Sequence, residues 1–187
     1  MARHALIETS SAARSADKRK GMRLRRTPRE EDVAAVRRLA ARAGVFSKAE
    51  QAVAVELIET RLRDGAKSGY RFLFADVDGR PVGYCVFGPI PMTAASWDLY
   101  WIVVDPAHRG GGLGRLLLEE AERDVARRGG GAVFIETSSR AEYARTRRFY
   151  AQAGYRRVAR LADFYAVGDD KVIYRKGVRR RSADGLT

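Results

Sequence analysis

The stretch Val104-Asp105-Pro106-Ala107-His108-Arg109-Gly110-Gly111-Gly112-Leu113-Gly114 decides how this chain is read. Before it lies an apolar run with strand character, Tyr100-Trp101-Ile102-Val103-Val104. After it, Leu113 to about Arg128 follows helical spacing. A strand running into glycines at a helix N-terminus is a ready cradle for phosphate. Glycine lets backbone N–H groups approach an anion, and first-turn amides lack intrahelical partners. Three consecutive glycines also cost conformational entropy that a plain connection would not require.

Two familiar glycine motifs fail here. In the dinucleotide fingerprint G-x-G-x-x-G the last position falls on Arg115 when counted from Gly110, and on Leu117 when counted from Gly112. The P-loop needs a closing Gly-Lys-Ser/Thr, which is absent.

Outward from the loop, Met22 to Arg26 is a short strand. Thr27-Pro28 starts a helix, with Val33, Val36, Leu39 and Ala40 at helical spacing and a stop at Gly44. A second helix opens at Ser47 and carries Val53, Leu57, Ile58 and Leu62 on one face. Tyr70–Val77 and Pro81–Phe87 form a hairpin across Asp78-Gly79. Strand Trp97–Val104, the loop and its helix follow, then a strand from Ala132 to Thr137 and a helix from about Ala141 to Gln152. Tyr155 to Phe164 and Lys171 to Arg175 pair across Gly168-Asp169-Asp170. The order β-α-α-β-β-β-α-β-α-β-β predicts an α/β fold, a mixed sheet with helices on both faces.

Composition narrows the function classes. The 187 residues suit one domain with tails. No apolar run reaches the ~20 residues of a membrane span, and no leader-like apolar segment opens the chain, so a cytoplasmic protein is expected. The single Cys85 precludes an internal disulfide, and with two separated histidines no Cys/His metal site is expected. The formal charge of +13 is concentrated at the ends: residues 1–21 hold five basic against two acidic groups, and 175–187 five against one. Thirty of the 36 basic residues are arginine. The charge is therefore read as solvated surface, not as a nucleic-acid footprint. Residues 1–21 are expected to be a disordered basic arm and 178–187 a basic tail.

The segment Arg109-x-x-Gly112-x-Gly114 resembles the Q/R-x-x-G-x-G/A motif of the GNAT superfamily of N-acetyltransferases, which holds the pyrophosphate of acetyl-coenzyme A. Phe149-Tyr150-Ala151-Gln152-Ala153-Gly154-Tyr155 resembles that family's F-Y-x-x-x-G-F/Y segment. The run Ile135-Glu136-Thr137-Ser138-Ser139, then Tyr143-x-x-Thr146-Arg147-x-Phe149-Tyr150, is similar to one branch of it. Where many relatives carry asparagine near the coenzyme, this chain has Tyr143. The resemblance spans residues 22 to about 177. It implies a mostly antiparallel mixed sheet, acetyl-CoA as co-substrate and no metal. It also implies coenzyme contacts from the backbone of Ile102, Val103 and Val104 and from Arg109, Gly110, Gly111, Gly112, Leu113, Gly114 and Arg115.

Acetyl transfer sets further demands. The attacking amine must be neutral, which costs about 4–5 kcal/mol for a lysine-like amine and only about 1 kcal/mol for an α-amine near 8. A carboxylate is the usual remedy. Asp98 stands where the histone-acetylating branch keeps its strand glutamate. Glu136 stands where a branch acting on protein N-termini keeps one. The expectation leans to Glu136, because an acid after Ala132-Val133-Phe134-Ile135 is harder to explain as surface. By resemblance, Tyr150 lies near the thioester sulfur and donates the proton to the departing thiolate. Trp97, Tyr100, Trp101, Tyr143, Phe164 and Tyr165 offer aromatic walls, and Asp163, Asp169 and Asp170 either attract a cationic amine or shape a turn. The expected acceptor is the primary amine of a small molecule or amino-acid-like compound, and a homodimer is compatible with this. The alternatives are a protein or peptide acetyltransferase and a non-catalytic acetyl-CoA-binding module.

Overall fold

The computed structural model describes residues 21–178. The arm and tail expectations therefore lie, apart from Gly21 and Val178, outside the described residues. The elements are β1 (Met22–Arg25), α1 (Asp32–Ala43), α2 (Lys48–Asp64), β2 (Arg71–Val77), β3 (Arg80–Pro89), β4 (Ser96–Val104), α3 (Leu113–Arg127), β5 (Ala132–Ser138), α4 (Ala144–Gln152), β6 (Arg156–Ala166) and β7 (Asp169–Gly177). The expected order of strands and helices holds. The sheet runs β1-β2-β3-β4-β5-β7-β6. β1 pairs antiparallel with β2, and β7 pairs antiparallel with both β5 and β6. β4 and β5 are parallel, over only Ser96–Asp98 against Ala132–Phe134.

The chain divides into two compact units. One takes residues up to Cys85 together with Trp101–Leu118, and the other takes Val86–Tyr100 with Glu119 onward. In the first, Val36, Leu39 and Ala40 of α1 and Ala54, Leu57 and Ile58 of α2 are buried at helical spacing. Phe72, Phe74 and Tyr84 form an aromatic cluster with ring centroids 5.7–6.5 Å apart. In the second, Trp97 lies 6.3 Å from Phe87, and Tyr150 packs on Tyr155 and Tyr174 at about 6 Å.

Three local readings are corrected. The first helix begins at Asp32, not at Thr27-Pro28, because Asp32 is drawn inward. Its carboxylate accepts from Arg29 N at 2.8 Å and from both terminal nitrogens of Arg25, at 2.6 and 2.8 Å. Arg25 also reaches Asp76 at 2.8 Å and lies over the Phe74 ring, tying β1, β2 and α1 together. Val53 is exposed, since the buried arc of α2 runs through Ala54, Val55, Leu57 and Ile58. Asp169 and Asp170 are buried strand residues, with only Val167 and Gly168 left in the turn of that hairpin.

The hairpin β2–β3 forms as expected. Asp78 and Gly79 both take positive φ, 50° and 76°, the geometry whose twist matches the flanking strands.

A glycine loop and an acid cluster

In the first unit, β4 ends at Val104 and a turn of 3-10 helix covers Pro106–His108. The Asp105 carboxylate accepts from Ala107 N at 2.9 Å and pairs with Arg42 at 3.0 Å, while Asp105 N donates to Val82 O. Burial pushes that carboxyl upward, but the Ala107 bond and the Arg42 charge outweigh it and hold it below the usual range. The turn is thus fixed at both flanks before the glycines begin.

Arg109 fixes it further. Its Nε donates to Val104 O at 3.1 Å and its Nη2 to Ala43 O at 3.2 Å. The second bond lands on the last residue of α1, where outward-pointing carbonyls favour a cation. Gly110 and Gly112 then sit in the left-handed region at φ 81° and 77°, where a side chain would be strained. Helix α3 starts at Leu113, with Leu116 N donating to Gly112 O at 3.0 Å. Its counterpart α2 is closed by a capping box, Ser47 with Glu50. Residues 110–112 are glycines, so the loop offers no side-chain oxygen of its own to do the same. A Cβ added at Gly110 would meet open space. Gly83 on β3 is a position that sequence reasoning passed over. A Cβ there would lie 3.0 Å from Val103 O and 3.3 Å from Leu117, so glycine permits the close approach of β3 to the end of β4 and to α3.

In the second unit, strand alternation carries Asp98 of β4 and Glu136 of β5 toward one another. Asp98 has no hydrogen-bond or ion-pair partner among the described residues. Burial first, and then the charge of Glu136, push its carboxyl up to about 6 against the pull of Lys171. Glu136 is different. Its side chain is 47% exposed, and Lys171 of β7 holds it at 2.6 Å. The register that brings them together pairs Glu136 with Ile173 and Ser138 with Lys171. The ammonium of Lys171 lies 3.8 Å from the Phe164 ring centre and 5.9 Å from that of Tyr165. Phe164 and Tyr165 are about half exposed, so these two do offer an aromatic surface beside the acids. Tyr150 is buried on α4.

The remaining acids are occupied. Ser138 Oγ and Arg140 bind Asp169. Asp170 accepts from Asp163 N at 2.9 Å and from Arg160, which hold it below the usual carboxylate range. Asp163, at φ 52°, accepts from Gly168 N at 2.7 Å. Asp163 and Asp170 lock the β6–β7 hairpin, while Asp169 ties β7 to the end of β5. Among the described residues no helix is long and apolar enough to cross a membrane, and no His/Cys/Asp/Glu group is suited to a metal.

Comparison with known proteins places the chain. A family model for the acetyltransferase (GNAT) domain matches residues 68–157. A GNAT-family structure from Desulfovibrio desulfuricans is 45% identical, with 84% of this chain and 99% of that one covered and a TM-score of 0.83. The ribosomal-protein-S18-alanine N-acetyltransferase of Escherichia coli shares 20% identity over 89% of this chain and 99% of its own, at a TM-score of 0.66. An aminoglycoside 6'-N-acetyltransferase complexed with coenzyme A shares 18% over 86% and 99%, at 0.67. The last two show a shared fold. A search of curated protein sequences returned no match.

Proposed function

Because the chain belongs to the GNAT family of acetyltransferases, we propose that it moves an acetyl group from acetyl-CoA to the primary amine of a small, amino-acid-like acceptor by direct attack in a ternary complex. Acetyl-CoA supplies the activated acetyl as a thioester. The glycine loop fits its diphosphate: two left-handed glycines at the entry to a helix and open space at Gly110. The amides of Gly110, Gly111, Gly112, Leu113, Gly114 and Arg115 would hold that group, with Arg109 bracing the loop from behind. The backbone of Ile102, Val103 and Val104 would bind the pantetheine amides as an added strand does. The short β4–β5 ladder, three pairs long, is consistent with that use.

The observation that carries the acceptor side is Asp98, a half-buried carboxylate with no direct partner and a proton affinity raised to about 6. A group near 6 accepts a proton far better than an ordinary aspartate near 3.9. It stands about 2 units below an α-amine near 8 and about 4 below a lysine side chain, each unit costing about 1.4 kcal/mol. The α-amine of an amino-acid-like compound is the better match. Glu136, already paired, is the weaker candidate of the two. Asp98 takes the amine proton, and Tyr150 returns a proton to the departing sulfur.

Thiol release measured over amino acids, polyamines, aminoglycosides and peptides tests this. Turnover is expected with amino-acid-like amines. Release with peptides alone would redirect the reading to protein acetylation, and heat of acetyl-CoA binding without any release would make the chain a binding module. Tyr150→Phe keeps the packing and removes the proton. It should lower kcat about 10- to 100-fold with little change in coenzyme KM, and full activity would remove Tyr150 from the mechanism.

A further inference from the structure

The acid pair of the second unit is asymmetric, and the asymmetry has a visible source. Glu136 and Asp98 stand on neighbouring strands, close enough for the charge of Glu136 to bear on Asp98. A like charge so placed disfavours the ionised form of its neighbour unless a cation offsets it. Lys171 supplies such a cation. It enters from β7, on the far side of β5 from Asp98, and its ammonium binds Glu136 at 2.6 Å. Its own mobility is curtailed, since the side chain is only 14% exposed and its head rests on Phe164 with Tyr165 nearby. A cation against aromatic faces and a carboxylate is held in one place by two independent attractions.

We infer that Lys171 is a positioning residue of the amine-activating site: by binding Glu136 and resting on Phe164, it cancels one carboxylate of the pair and leaves Asp98 as the group open to an incoming amine. This rests on the reading of Asp98 as the base and adds to it the reason why one acid and not the other takes that part. The charged and titratable groups involved are Glu136 from β5 and Lys171 from β7, which act on Asp98, and Tyr165 from β6, which sits beside Lys171. A cation is required on Glu136, so arginine should serve there and methionine should not.

The test is a charge-compensation cycle read on the carboxyl carbon of Asp98 by NMR in the coenzyme-free protein, alongside the acid limb of kcat/KM. In the parent, Asp98 should titrate near 6. Lys171→Met removes the cation and frees the Glu136 charge, so the midpoint should climb by about one pH unit. Glu136→Gln leaves Lys171 uncancelled, so the midpoint should fall by a similar amount. The double variant replaces a neutral pair by a neutral pair and should return to the parent value. Lys171→Arg should stay close to the parent throughout. A purely structural lysine would give losses that add in the double variant, with no opposed shifts. That outcome, or an unmoved midpoint in Lys171→Met, overturns the proposal. If no amine in the panel releases thiol, the acetyl-transfer reading fails, yet the NMR arm still decides the role of Lys171. If the midpoints move as stated but the kcat/KM limb does not follow them, Lys171 tunes Asp98 without serving the amine, and the inference is withdrawn.

Discussion

The glycine loop and the acid cluster are built in opposite ways. The loop is one contiguous run, and the atoms proposed to bind coenzyme there are main-chain amides. Its side chains Asp105 and Arg109 bond to neighbouring backbone and hold it in shape. The cluster gathers Asp98, Glu136, Lys171 and Phe164 from four strands, and its working atoms are all at side-chain ends. A site made of backbone depends on φ angles. A site made of side chains depends on register and on the balance of neighbouring charges. Damage to the two should therefore look different.

The largest effect is expected at the loop. Gly112→Val forces a β-branched residue to φ 77° and strains the turn that carries the amides proposed to bind the diphosphate. Acetyl-CoA affinity by calorimetry should fall about 100-fold or more, while the titration of Asp98 stays where it was. If the midpoint of Asp98 moves instead, the two regions are not separable in the way described.

Next comes Asp98→Asn, which should lower kcat/KM about 100-fold at neutral pH while leaving coenzyme binding intact. It should also stabilise the fold. The folded carboxyl titrates near 6 and the unfolded one near 3.9, so between those values the folded state binds more protons and stability declines as pH rises. That cost is complete above pH 6 and absent below about pH 4. At pH 8 the variant should gain about 1 kcal/mol after allowance for solvent screening. Denaturant melts at pH 4 and pH 8 would check this, and a gain of equal size at both would contradict the assignment.

A smaller effect sharpens the contrast from the packing side. A Cβ at Gly130 would meet Val125 at 2.3 Å and the Trp97 indole at 2.7 Å. Gly130→Ala should cost about 1–3 kcal/mol by chemical denaturation and leave the loop's affinity for coenzyme unchanged. A loss of affinity equal to that of Gly112→Val would show that the loop is held by the second unit's core.

Much was legible in the sequence because it is local. The order of elements follows from apolar period and turn residues, and the loop from glycines between a strand and a helix. Ser47 with Glu50 signals its helix start by side-chain chemistry alone. Thr27-Pro28 carries a similar signal and fails, because a buried Asp32 bound by Arg25, seven residues away, moves the start. Asp169 and Asp170 resemble turn residues, yet Ser138, Arg140 and Arg160 draw them into the strand.

The chain by itself determined where its backbone bends and where glycines lead a strand into a helix, since those properties reside in consecutive residues. Only the tertiary structure decided that Lys171 meets Glu136 directly while Asp98 feels both only through their charge. Which residues face each other across strands is set by sheet register, and proton affinity is set by burial and neighbouring charge. No single segment of sequence contains either.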